Sequence, residues 1–94
     1  MKHALVALIV LILAAAPLQA ACYADYKAKK DNPLQLHYGV VELPDSACGG
    51  TGAAQSVIAG RLRDGWTLLQ VISVFGQEGL NERRGRAGEF FLRY

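Results

Sequence analysis

The chain has 94 residues, of which 52% are apolar and 19% charged, and its formal net charge is +2. That length holds one small domain and excludes repeat arrays, eight-stranded barrels and two-domain enzymes, while the apolar content excludes a disordered chain. The near-neutral balance excludes general nucleic-acid binding, which needs a strong basic field.

Residues 1–20 hold 16 of the 49 apolar residues. Met1-Lys2-His3 is a cationic start, and Ala4 to Ala16 is an unbroken apolar run. As a helix that run spans roughly 20 Å, short of the about 30 Å of a bilayer core. Pro17 ends it, and Leu18-Gln19-Ala20 is a small-residue exit. These are the parts of a secretory signal peptide with the mature chain starting at Ala21, so the expected location is the periplasm or the medium. The alternative is an uncleaved anchor, against which the short run and early proline argue. A second alternative is lipidation at Cys22. Ala20-Ala21 is the small pair it needs, but Gln19 stands where an aliphatic residue belongs and Leu18 lies one position too far. Membrane contact is therefore expected only during export or through a lipid on Cys22.

The mature chain divides into an N-terminal extension, 21–35, and a domain, 36–94. Cys22 to Asp31 is rich in alanine and lysine, with Tyr23 and Tyr26 three apart, and reads as a short helix ended by Asn32-Pro33. Leu36 to Leu43 reads as a strand with Leu36, Tyr38 and Val40 on one face. Ser46 to Gly52 is a loop of small residues. Ala53 to Asp64 reads as a helix with Thr51 as N-cap, an apolar stripe of Ala54, Val57, Ile58 and Leu62, and Gly65 as its stop. Gly60 inside it suggests close packing on a sheet. Trp66 to Phe75 is apolar on both faces and reads as a central strand. Gly76 to Gly88 reads as a polar, glycine-rich loop, and Glu89 to Tyr94 as a final strand. The expected fold is α+β, with one main helix on a three-stranded sheet in the order βαββ. The first two strands would run parallel and the last two would form an antiparallel hairpin.

Two cysteines, Cys22 and Cys48, are an even count in a small exported domain and read as one disulfide. The competing use of Cys48 is as a reactive thiol in a thiol-dependent enzyme, with no histidine placed beside it. Lipidation of Cys22 would exclude the disulfide.

The Gly65-Trp66-x-Leu68 junction, the Tyr38-x-Val40-Val41 strand and the terminal Phe91-x-Arg93 resemble a small bacterial domain family of unknown function. That family runs strand, helix, G-W-x-L strand and aromatic-x-Arg strand. The similarity covers residues 36–94. The longer run from Asp25-Tyr26-Lys27 through Leu36-His37-Tyr38-Gly39 to Gly79-Leu80 resembles uncharacterised exported bacterial proteins. The resemblance implies the fold and carries no activity.

Arg83, Arg84 and Arg86 cluster in the long polar segment and are the candidate surface for an anion or a partner. Against this stands a solvated loop with internal Glu–Arg pairs. Cys48-Gly49-Gly50-Thr51-Gly52 precedes a helix, but it lacks both the Walker and the dinucleotide pattern and reads as a flexible connection. His37, on a strand face, reads as structural, as do Tyr23, Tyr26, Tyr38 and Trp66. Glu42 and Asp45 flank Pro44 and read as an exposed turn rather than an acid–base pair. No catalytic set, cofactor motif or metal-ligand spacing is recognisable. The reading is an exported binding module whose partner is a protein or a cell-envelope component.

Overall fold

A computed structural model describes residues 21–94. Residues 1–20, and with them the choice between signal peptide and anchor, lie outside the described residues. Strands β1 (Cys22–Lys30) and β2 (Gln35–Leu43) form an antiparallel hairpin. Its turn holds Asn32 at φ 64° and a cis Asn32–Pro33 bond. Helix α1 (Thr51–Arg61), strand β3 (Thr67–Gly76) and helix α2 (Leu80–Ala87) follow. The sheet order is β2-β1-β3, with both pairs antiparallel. The α+β class and the packing of a main helix on a three-stranded sheet are as expected. The element order is ββαβα rather than βαββ.

Three element readings are corrected. Residues 22–31 do not form a short helix. They form β1, the middle strand of the sheet. The segment alternates Ala24, Tyr26 and Ala28 with Asp25, Lys27 and Lys29, and the period of two prevails over the helix propensity of alanine and lysine. Trp66 to Phe75 is not central: β3 lies at the sheet edge, which leaves Leu69 52% and Ile72 40% exposed. Glu89 to Tyr94 makes no hairpin with β3. It contributes a 3₁₀ turn (Gly88–Phe90) and a single parallel bridge from Phe91 to Val40 on the free edge of β2. The Leu92 amide donates to the Val40 carbonyl (2.8 Å), and Leu92 then turns away at φ 57°. β2 and β3 do run in the same direction, since each is antiparallel to β1, but β1 separates them.

The helix boundaries also move. α1 starts at Thr51 with Gly50 as its N-cap, and Leu62 is already extended. The left-handed residues Asp64 (φ 63°) and Gly65 (φ 88°) make the turn into β3. Gly60 does not pack on the sheet, since a Cβ there would meet nothing within 4 Å.

The two faces of the sheet are covered unequally. On one face α1 lays Ala54 and Ile58 over Ala24, Tyr26, Ala28, Val41 and Leu43. The small alanines of β1 let the helix approach. Trp66 and Tyr94 continue this cover towards the hairpin end. On the opposite face, α2 and the C-terminal segment pack Leu80, Ala87 and Phe91 around Tyr23, Val40 and Phe75. That cover ends near Asp25 and Tyr38. Beyond it, Lys27 and Leu36 remain exposed. Tyr26, Ile58, Val40 and Val41 are wholly buried, and the three aliphatic side chains each contribute roughly 1.5–3 kcal/mol of transfer free energy.

Candidate binding face

The segment expected as a loop folds as α2, and the spacing Leu80–Arg83–Ala87 explains where its arginines go. Positions i, i+3 and i+7 share one side of a helix. Ala87 and Leu80 pack on the sheet, so Arg83 is drawn inward with them. Its Nε donates to Asp25 Oδ2 (3.0 Å) and its Nη1 to the Gly79 carbonyl (2.8 Å) and Glu82 Oε1 (2.7 Å). Its guanidinium lies 3.9 Å from the centre of the Phe75 ring. Arg84 and Arg86 remain exposed, Arg84 over Phe91 (4.4 Å) and Arg86 over Tyr38 (4.8 Å). The expected arginine cluster therefore divides into one structural residue and two surface cations.

Asp25 is the charge around which this side is built. It is 3% exposed and accepts from Ser73 Oγ (2.6 Å), the Tyr38 hydroxyl (2.7 Å) and Arg83. Burial pushes its pKa up, but the hydrogen bonds from Ser73, Tyr38 and Arg83, together with the Arg83 charge, outweigh burial and leave it below the ordinary carboxylate value. Burial and the bond to Asp25 raise the Tyr38 hydroxyl to about 12. The group is a satisfied buried ion pair, whose role is to hold β1, β2, β3 and α2 in register.

On the α1 face, His37 fills an aromatic box. It stacks on Phe90 at 3.7 Å between ring centres, meets Trp66 edge-on at 4.3 Å, and shares a hydrogen bond between Nε2 and the Tyr26 hydroxyl (2.9 Å). Its Nδ1 is buried without a partner. Burial lowers its pKa to about 4, with Glu89 pulling upward and Arg93 and Lys30 pushing further down. His37 is thus neutral and structural. Among the described residues, no three His, Cys, Asp or Glu side chains converge as metal ligands.

Cys22 and Cys48 form a disulfide, Cα–Cα 5.9 Å. The lipid attachment and the reactive thiol both require a sulfur that this bond occupies. The glycines at 49, 50 and 52 face open space, and no side chain caps α1.

Among the described residues, two surface cavities bear on the site. One, of about 360 Å³, lies at the end of β2 between Glu42, Pro44, Arg61, Leu92 and Tyr94. Arg61 crosses it to donate to the Glu42 carbonyl (2.6 Å). The other, of about 260 Å³, lies on the uncovered half of the α2 face and is lined by Lys27, Leu36, His37, Tyr38 and Leu69. Leu36 is 68% exposed beside it. Arg86, whose Nη2 lies 3.4 Å from the Tyr38 hydroxyl, stands on the side nearest α2. Sequence reading did not single out Lys27, Leu36 or Leu69. The shared parity of Leu36 and Tyr38 on β2 was the available signal, but it does not say which half of a face α2 leaves open.

The chain matches no family model, no curated protein and no solved structure.

Proposed function

We propose that this protein is an exported, disulfide-tied binding module of the bacterial cell envelope that acts by surface contact rather than by catalysis. The observation that carries this reading is the open half of the α2 face, where exposed Leu36 and Leu69 border a cavity beside Lys27, Tyr38 and Arg86. Soluble single domains seldom leave apolar groups gathered around a concavity without a use for them. The buried polar groups and the sulfurs are engaged in holding the fold: Asp25 and Arg83 pair with each other, His37 is buried and neutral, and the two sulfurs are joined.

The test has two parts. Intact mass before and after reduction is expected to show a chain starting at Ala21 that gains about two daltons. Co-sedimentation with isolated envelope fractions is expected for the native protein and lost in a Leu36→Gln/Leu69→Gln double variant with an unchanged melting curve. Retention of the full leader, or equal sedimentation of the variant, overturns the reading.

A further inference from the structure

We infer that the open half of the α2 face, together with the β1–β2 hairpin, docks on an anionic lipid surface. This identifies the envelope component, gives the folded domain a membrane contact beyond the export and lipidation expected from the sequence, and rests on the binding-face reading above. Two independent features converge there. The first is charge. Between Lys27 and Tyr38 the hairpin carries Lys27 and Lys29 on the side of Leu36 against a single acid, Asp31, which Lys29 meets at 3.4 Å, while Lys30 turns to the other face and lies over Trp66 at 4.7 Å. Arg86 adds a further cation at the α2 boundary. The mature chain as a whole is almost neutral, so this is a local concentration of positive charge.

The second feature is apolar exposure at the same place. Leu34, in the hairpin turn, is 66% exposed, Leu36 is 68% exposed and Leu69 is 52% exposed. Leu36 pairs directly with Lys29 across the hairpin, so an exposed leucine and a lysine stand side by side. Leu69 is the residue passed over where the β1–β3 register shifts between Lys27 and Ala28, and the same shift brings it to the cavity with Leu36 and Lys27. Leucines set among lysines fit a surface that is negative at the headgroup and apolar just beneath it: the lysines meet the phosphates while the leucines enter the acyl boundary. An acidic protein partner would use the cations but leave Leu34, at the tip of a polar turn, without a role.

The experiment uses the oxidised protein as purified from cells and two sedimentable vesicle preparations. One is pure phosphatidylcholine and the other equal parts phosphatidylcholine and phosphatidylglycerol. Binding is expected on the phosphatidylglycerol vesicles, weakened by salt and near background on pure phosphatidylcholine. Lys27→Gln/Lys29→Gln is expected to weaken binding about tenfold or more, since each lysine near an anionic surface contributes separately. Leu36→Gln/Leu69→Gln is expected to weaken it by a similar factor, with the fold confirmed by an unchanged melting midpoint. Equal binding to both vesicles, no binding to either, or binding that both double variants leave intact overturns the inference. If the leucine variant loses envelope sedimentation while neither vesicle binds the native protein, lipid is excluded and the binding face stands with a protein or glycan as its partner.

Discussion

Tyr26 and Gly39 face each other across β1 and β2, and the tyrosine ring fills the space where position 39 would carry a side chain. A Cβ at Gly39 would stand 2.7 Å from Tyr26 Cε1 and closer still to Cζ and the hydroxyl. The ring is thereby laid flat over the strand and aimed at His37 Nε2. Gly39→Ala forces the ring out of this position and breaks the bond to His37, and overpacking of this kind costs about 1–3 kcal/mol. Urea unfolding of the variant is expected to show that loss. Gly60→Ala is the matched control. Gly60 lies on the exposed side of α1 with open space around it, so alanine there is expected to stabilise by about 0.5–1 kcal/mol through helix propensity and reduced unfolded-state entropy.

The same pair shows what the sequence disclosed and what it concealed. β2 is legible because branched and aromatic residues alternate over Leu36–Leu43. β1 carries the same period of two but writes it in Ala24, Tyr26 and Ala28, residues whose small size serves the close approach of α1. Local propensity then points to helix, and pairing along the whole segment with β2 on one side and β3 on the other, Tyr26 with Gly39 and Val71 among the pairs, makes it a strand. β3 is apolar on both sides, which reads as a central strand. Its exposed leucine and isoleucine belong instead to an edge that neither helix fully covers. α2 was hidden because its buried side consists of Leu80, Arg83 and Ala87, and an arginine on an inward stripe counts as polar until Asp25 is known to wait beneath it. For the same reason the arginine cluster was legible as a cluster but not as one structural residue and two surface ones.

Arg83 and Asp25 make the second prediction. Asp25→Asn keeps the shape but removes the charge that Arg83 faces and weakens the acceptor shared by Ser73 and Tyr38. Breaking one side of a buried ion pair is destabilising by roughly 3 kcal/mol, here moderated because Arg83 reaches solvent at its edge. Thermal unfolding is expected to show a large drop for Asp25→Asn and for Arg83→Met. Arg84→Ser and Arg86→Ser, whose side chains lie exposed over rings, are expected to shift the midpoint only slightly.

The pH dependence of stability follows from His37. In the unfolded chain the imidazole titrates near its ordinary value of 6.5, whereas in the folded protein burial lowers it to about 4. Between these values the unfolded chain holds a proton that the folded protein does not, so stability falls as pH falls from about 6.5 to about 4. The loss through His37 is on the order of 3 kcal/mol and is complete below that window. Asp25, held below the ordinary carboxylate value, adds a further loss at still lower pH. Chemical denaturation across pH 2–8 checks this. His37→Phe, which retains the stack on Phe90, is expected to remove the slope between pH 6.5 and 4 and to leave the more acidic decline. An unchanged slope in that variant would place the titrating group elsewhere.

The disulfide supplies the last prediction. The hairpin already pairs Cys22 with Leu43, only five positions before Cys48, so the folded chain brings the two cysteines together without the bond. The bond therefore does little to shape the native state and acts mainly on the unfolded chain, where it closes a loop with a sequence separation of 26. The chain-entropy estimate for such a loop is roughly 3–4 kcal/mol, a large part of the stability of so small a domain. A Cys22→Ala/Cys48→Ala variant is expected to keep the β2-β1-β3 pairing, visible as unchanged cross-strand contacts in NMR spectra, while its urea midpoint falls by a corresponding amount. Loss of the Tyr26–Gly39 and Asp25–Ser73 contacts in that variant would show instead that the bond is needed to seat β1 between its neighbours.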